Sequence, residues 1–177
     1  MQNNTELLKR FVDIALSQVG VKEEGGNNMG AKITEYQKAT WLKPDAWPWC
    51  SAFVCWCMRE WLNNIEVRAA LNLHNDIEVK MWRCRDASAF GWEKWAKSTG
   101  LQILPETKKA KMGDIVVFDF SHVGIIVSDQ EYISDPIETA EGNTNGRGER
   151  DSVSGDGVWK KFRPSQLTKC YVRIFET

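Results

Sequence analysis

Near residue 100 the apolar pattern of the chain changes period, and that change limits the folds open to it. Before it, apolar residues recur at helical spacing. Leu7, Leu8, Phe11, Val12, Ala15 and Val19 form one stripe, which Thr5 can cap and Gly20 can stop. A short helix is expected from about Ala31 to Thr40, with Ile33 and Tyr36 on one side. Phe53, Val54, Cys57, Met58, Trp61 and Leu62 mark the inward face of a longer helix that ends near Asn63 and Asn64. Asp86 can cap another through about Lys97, with Gly100 as its stop. Beyond Gly100 the apolar runs are short. Ile115–Phe118 and His122–Val127 have strand length, and further strands are expected near Glu131–Ser134, Ile137–Glu141, Val158–Phe162 and Tyr171–Phe175. Residues 65–85 are mixed, with weak alternation over Ile77–Met81, and 143–157 reads as a mobile surface loop. Helices first and strands second imply one α+β domain over 1–177, helical over about 5–100 and strand-rich over about 113–177.

The chain of 177 residues is long enough for a real core. Its net charge of −1 and pI near 6.2 argue against a nucleic-acid binder with a broad basic surface and against adhesion to anionic surfaces by bulk charge. No apolar run approaches the ~20 residues of a membrane span. Met1–Thr5 shows neither a basic n-region nor an apolar h-region, so synthesis in the cytoplasm without a signal peptide is expected. Five cysteines without framework spacing fit reduced thiols.

One of those thiols stands apart. Cys50 lies three residues before Phe53 and so tops the inward face of the central helix, in its first turn. Free N–H groups and the positive end of the helix dipole favour an anion there, and a thiolate is such an anion. Cys55 and Cys57 lie deeper in the same helix. The chain has two histidines, His74 and His122. His122 opens an apolar strand, and the small Gly124 two residues on leaves room for another group to approach. A histidine has the pKa to serve a thiol first as base and then as acid. In the next strand candidate, Glu141 and Asn143 share a face by alternation, and either could accept the second ring N–H and orient the imidazole.

The order of motifs resembles a known family. Gly20-Val21, Glu23–Asn28, Ile33-x-Glu35-Tyr36, Pro48–Val54, Gly113–Phe118, His122–Val127 and Glu141–Asn145 stand in the sequence seen in CHAP-type amidohydrolases. These belong to the NlpC/P60 papain-like group of bacterial and phage cell-wall hydrolases. The resemblance implies Cys50 as nucleophile, His122 as general base, Glu141 as the group that orients the histidine and Asn143 as a further polar site residue. Trp49, Tyr36, Asn28 and Ser121, in or beside those motifs, are expected to meet substrate. The implied fold is a helix-borne cysteine packed on a small barrel-like antiparallel sheet. The implied activity is cleavage of an amide bond in peptidoglycan by a monomer without metal or organic cofactor. Nucleic acid is not an expected partner; an inhibitory or delivery protein is. Residues 63–111 fit the pattern less well and exceed a minimal version.

Three other readings compete. A papain-like protease or deamidase acting on proteins would use the same Cys–His logic. A non-catalytic wall-binding module would dispense with the cysteine or histidine, and neither is missing. A zinc site is disfavoured because the cysteines lack paired C-x2-C spacing.

Overall fold

The structure, a computed structural model, describes residues 3–146 and 155–176. Leu7, Leu8, Phe11, Val12 and Ala15 are buried along one face of α1 (Asn4–Leu16). Its cap is Asn3, whose side chain accepts the Thr5 N–H, so the cap lies two residues before the expected Thr5. The helix also stops short of Val19: Gly20, with φ +97°, turns the chain so that its N–H reaches the Val158 carbonyl. The next helices are α2 (Ala31–Gln37) and α3 (Cys50–Trp61). Ten of the twelve residues of α3 are buried, because helices lie on two sides of it and the sheet on another.

Residues 65–85 form two short helices, α4 (Ile65–Ala70) and α5 (Asp76–Trp82). Asn64 and Asn75 start them, each side chain accepting two backbone N–H groups. The weak alternation over Ile77–Met81 is therefore not a strand. Ile77 and Met81, four apart, share the exposed face of α5, while Val79 is buried. In α6 (Gly91–Thr99) the N-cap is Phe90, four residues past the expected Asp86, whose side chain lies across Gly91 instead: a Cβ there would stand 2.2 Å from the Asp86 carboxyl carbon. Gly100, in the left-handed region, ends the helix as expected.

Six strands follow: β1 (Gln102–Leu104), β2 (Ile115–Phe118), β3 (Val123–Ile126), β4 (Ile137–Thr144), β5 (Gly157–Arg163) and β6 (Thr168–Arg173). They form one antiparallel sheet in the order β1-β6-β2-β3-β4-β5. The sequence pattern missed β1. The strand expected at Glu131–Ser134 is a turn, tied by the Gln130 amide to the carbonyls of Ile133 and Asp135. Of the loop expected over 143–157, residues 147–154 lie outside the described residues, and Asn143 and Thr144 belong to β4.

Strand alternation divides the core. Ile115, Val117, Val123, Ile125, Ala140, Cys170 and Val172 face the helices, whereas Val116, Phe118, Ile126, Ile137 and Tyr171 form a smaller cluster on the opposite face. The helical layer comes closest to the sheet at Gly142, where a Cβ would collide with Phe53 at 2.6 Å and Trp49 at 2.8 Å. That contact presses the N-terminus of α3, and with it Cys50, against the sheet next to His122. The result is an α+β fold in which the helices pack on one face of an antiparallel sheet.

Candidate active site

Cys50 is the first residue of α3, preceded by Trp49 as N-cap. No side chain caps this end and no acidic residue sits in its first turn, so its leading N–H groups stay open to an anion. The neighbouring hydroxyl, which could have competed, is engaged elsewhere. Ser51 Oγ donates to the Asp86 carbonyl at 2.6 Å and accepts the Trp92 indole N–H at 2.9 Å.

His122 closes the β2–β3 hairpin. The Phe118 N–H bonds to the His122 carbonyl, and Ser121 takes the left-handed conformation at φ +60° that a three-residue turn requires at its end. The imidazole is fully buried and stacks at 5.8 Å on Phe118 and 5.7 Å on Phe120. Its Nε2 lies 2.8 Å from Glu141 Oε2. Glu141 reaches the ring across Gly124, where a Cβ would come within 2.8 Å of its Cγ. The small residue noted beside His122 thus makes room for this carboxylate.

Glu141 is itself held by three hydrogen bonds from two residues besides the histidine. Thr139 Oγ1 donates to Oε1 at 2.6 Å, and Arg163 donates from Nε to Oε1 at 3.0 Å and from Nη2 to Oε2 at 2.6 Å. Arg163 is fully buried, and its guanidinium lies 5.5 Å from the Phe118 and Phe120 rings. Burial alone would favour a neutral carboxyl. The His122 charge and the Arg163 and His122 hydrogen bonds outweigh it and hold Glu141 well below the usual carboxylate range. Burial likewise opposes charge on His122, yet the Glu141 carboxylate, together with the neighbouring Cys50 side chain, pushes its pKa up to about 9.

The other ring nitrogen, Nδ1, is buried without a hydrogen-bond partner among the described residues. Cys50 is near enough to act on the ring, but no bond to Nδ1 is closed. Such a loose nucleophile–base contact is common before substrate binds.

Cys50 opens onto a cavity of about 400 Å³. Trp41, Leu42, Trp47 and Pro48 form one wall, residues 86–89 another, and Ser121 closes the side near the histidine. The second wall belongs to the 63–111 segment that the sequence left undefined. Of the residues expected to meet substrate, Ser121 borders this cavity. Trp49 and Tyr36 do not: both are fully buried and stack on each other at 5.6 Å, so they support α3 from behind. Asn28 lines a separate depression with Thr34, Gln37 and Pro44. Asn143 does not share the orientation of Glu141. A register shift between Glu141 and Thr144 and a φ of +55° at Asn143 break the alternation. Among the described residues, no three His, Cys, Asp or Glu side chains come together as a metal-ligand set.

The CHAP domain family model matches residues 42–143, more than half of the chain. The chain belongs to the CHAP family. CHAP domains are cysteine- and histidine-dependent amidohydrolases or peptidases, and Cys50, His122 and Glu141 all fall within the match. No curated protein matches the chain. In this CHAP domain Arg163, on β5, lies beyond the matched residues. Sequence reasoning missed it, as it missed Trp41, Leu42 and Trp47 as groove walls. For the tryptophans a signal existed: large apolar side chains in a loop punctuated by Pro44 and Pro48. For Arg163 the only cue is indirect, that a carboxylate buried beside a histidine needs a second counter-charge.

Proposed function

We propose that this CHAP domain hydrolyses an amide bond in peptidoglycan through a cysteine acyl-enzyme, with Cys50 as nucleophile, His122 as acid and base, and Glu141 as the group that orients and charges the ring. The observation that carries the reading is the buried His122–Glu141–Arg163 arrangement, which leaves a single ring nitrogen, Nδ1, free on the side of Cys50.

The chemistry follows from that geometry. His122 takes the Cys50 proton at Nδ1, and the buried carboxylate stabilises the imidazolium. The sulfur attacks the substrate carbonyl carbon, and charge moves to the carbonyl oxygen. The uncapped N–H of Cys50 at the start of α3 is placed to receive that oxyanion. His122 returns its proton to the leaving amine as the C–N bond breaks. Water then attacks the thioester, giving a proton to His122, and the C–S bond breaks to free the acid and restore the thiol pair.

The test is mass spectrometry of muropeptides after digestion of purified sacculi. New termini at one amide bond are expected from the native chain and none from Cys50→Ala; intact sacculi with both would overturn the reading. Limiting iodoacetamide at neutral pH should modify Cys50 first. Burial pushes the Cys55 and Cys57 thiols up, and Cys170 up to about 11, so those three should lag. Faster labelling of Cys84 or Cys170 would remove the case for an activated Cys50.

A further inference from the structure

Next to the groove that holds Cys50 lies a second cavity of about 400 Å³. The two share Trp41 and Asp86 as lining residues. Arg83, Arg85 and Lys94 bring three positive charges to the second cavity, against one carboxylate, Asp86. That carboxylate is engaged in its own turn, accepting the Ser88 N–H at 2.9 Å.

Arg85 is the unexplained member. Its Nε is buried without a hydrogen-bond partner, and its guanidinium makes no ion pair among the described residues. Burying such a donor unpaired costs free energy, which a ligand can recover. Arg83 is crowded too: burial, with a contribution from the Arg85 charge, holds it below the ordinary guanidinium value. Its Nη1 is spent on the Ala39 carbonyl. The chain as a whole carries a net charge of −1, so this local excess of cations is not a general property of the surface.

The cavity is also tied to the nucleophile. The Trp41 N–H bonds to the Arg85 carbonyl at 3.0 Å, and Ser51, the residue after Cys50, donates to the carbonyl of Asp86. Arg85 is therefore held at a fixed offset from the start of α3, on the wall that residues 63–111 supply. A planar guanidinium with free N–H groups matches a carboxylate.

We propose that this second cavity is a subsite for a carboxylate on the substrate, bound by Arg85 with Arg83 and Lys94 supplying additional positive charge, so that the enzyme favours peptide stems with free carboxylates over amidated ones. The identification of the acid as a peptidoglycan stem rests on the function proposed above; the anion site does not.

Two measurements separate them. In the first, ¹⁵N-labelled Cys50→Ala protein is titrated with a synthetic stem tetrapeptide carrying free carboxylates, and with the same peptide fully amidated. The Arg85 Nε–H resonance, assigned by its loss in Cys50→Ala/Arg85→Gln, should shift saturably with the acid and not with the amide. No shift, or equal shifts, would overturn the subsite. In the second, native and Arg85→Gln proteins digest sacculi with free or amidated stems. A KM increase of about tenfold is expected on the free-acid stems with kcat little changed, and a several-fold smaller effect on the amidated ones. Equal losses on both would also overturn the subsite. Intact sacculi together with an acid-specific Arg85 response would overturn the peptidoglycan reading and leave the anion site standing.

Discussion

Two arginine–carboxylate forks brace this sheet, and their carboxylates are shifted in opposite directions. At one end Arg173 donates from Nε and Nη2 to the two oxygens of Asp114, at 2.9 and 2.7 Å. At the other, Arg163 does the same to Glu141, at 3.0 and 2.6 Å. Burial pushes Asp114 up despite the Arg173 bonds and the Lys111 N–H it accepts. Glu141 is just as dry, yet it is held low. Arg173 gains from its pair and is raised, chiefly by the Asp114 hydrogen bond, because its own side chain keeps some contact with water while Asp114 keeps almost none. The difference between the forks is the third partner. Glu141 has His122, a second cation within hydrogen-bond reach, and Thr139 as a further donor. A fork of this kind staples a turn when the arginine is the only cation, and it charges a neighbouring ring when a histidine completes it.

The largest expected effect separates the two directly. Glu141→Gln should lower turnover on sacculi by roughly 10³- to 10⁴-fold, the scale seen when the carboxylate behind a catalytic histidine becomes an amide. It should also cost roughly 3–5 kcal/mol of stability, since Arg163 is left buried without its counter-charge. Turnover must therefore be read well below the melting temperature, with circular dichroism to confirm folding. Asp114→Asn should cost about 1–2 kcal/mol and leave turnover near native, because Asn keeps one acceptor and a carboxyl already disfavoured by burial loses less. Comparable loss of turnover in both variants would erase the distinction.

How legible this was from sequence depends on the range of the interaction. Cys50 at a helix start follows from local spacing, and so does the notch at Gly124. The contact between His122 and Glu141 needed only adjacent strands. Arg163 is 22 residues from Glu141, on a strand whose alternation places lysines on both faces, so nothing local marks it as buried. Trp49 misled for the opposite reason. Its place beside Cys50 suggested the groove, but an N-cap residue turned toward Gly142 packs inward. Residues 65–85 were opaque because asparagine caps, rather than a long apolar stripe, define helices of six and seven residues.

A pH profile sharpens the comparison at intermediate scale. In the proposed mechanism the His122 imidazolium protonates the leaving amine and is lost as pH rises, so kcat/KM should fall through an alkaline limb near pH 9. In Glu141→Gln the limb should move toward acid, since burial is then opposed by Cys50 alone. In Asp114→Asn it should stay in place. Stability carries the same signs. The His122 contribution is complete below about pH 6.5 and is lost as pH rises toward 9. The Glu141 contribution is present above about pH 4.3 and is lost as pH falls through its lowered value. A limb that ignores Glu141→Gln would mean that the second fork does not charge the ring.

The smallest effect concerns Asn143, the other residue that could have oriented His122. In the proposed mechanism that role belongs to Glu141, whose carboxylate lies 2.8 Å from the ring. Asn143 is in the left-handed region, where asparagine is tolerated and alanine is strained by roughly 1–2 kcal/mol. Its carbonyl is also packed against Gly155, where a Cβ would stand 2.2 Å away. Asn143→Ala should therefore lower the melting temperature by a few degrees with only a modest loss of turnover. Glycine adopts this conformation freely but removes the side chain, so Asn143→Gly should recover much of the stability while turnover stays close to that of Asn143→Ala. Thermal melts and sacculus turnover on the two variants check this. If both lose turnover as deeply as Glu141→Gln while remaining folded, the amide side chain carries the orienting role and the contrast between the two forks no longer explains the site.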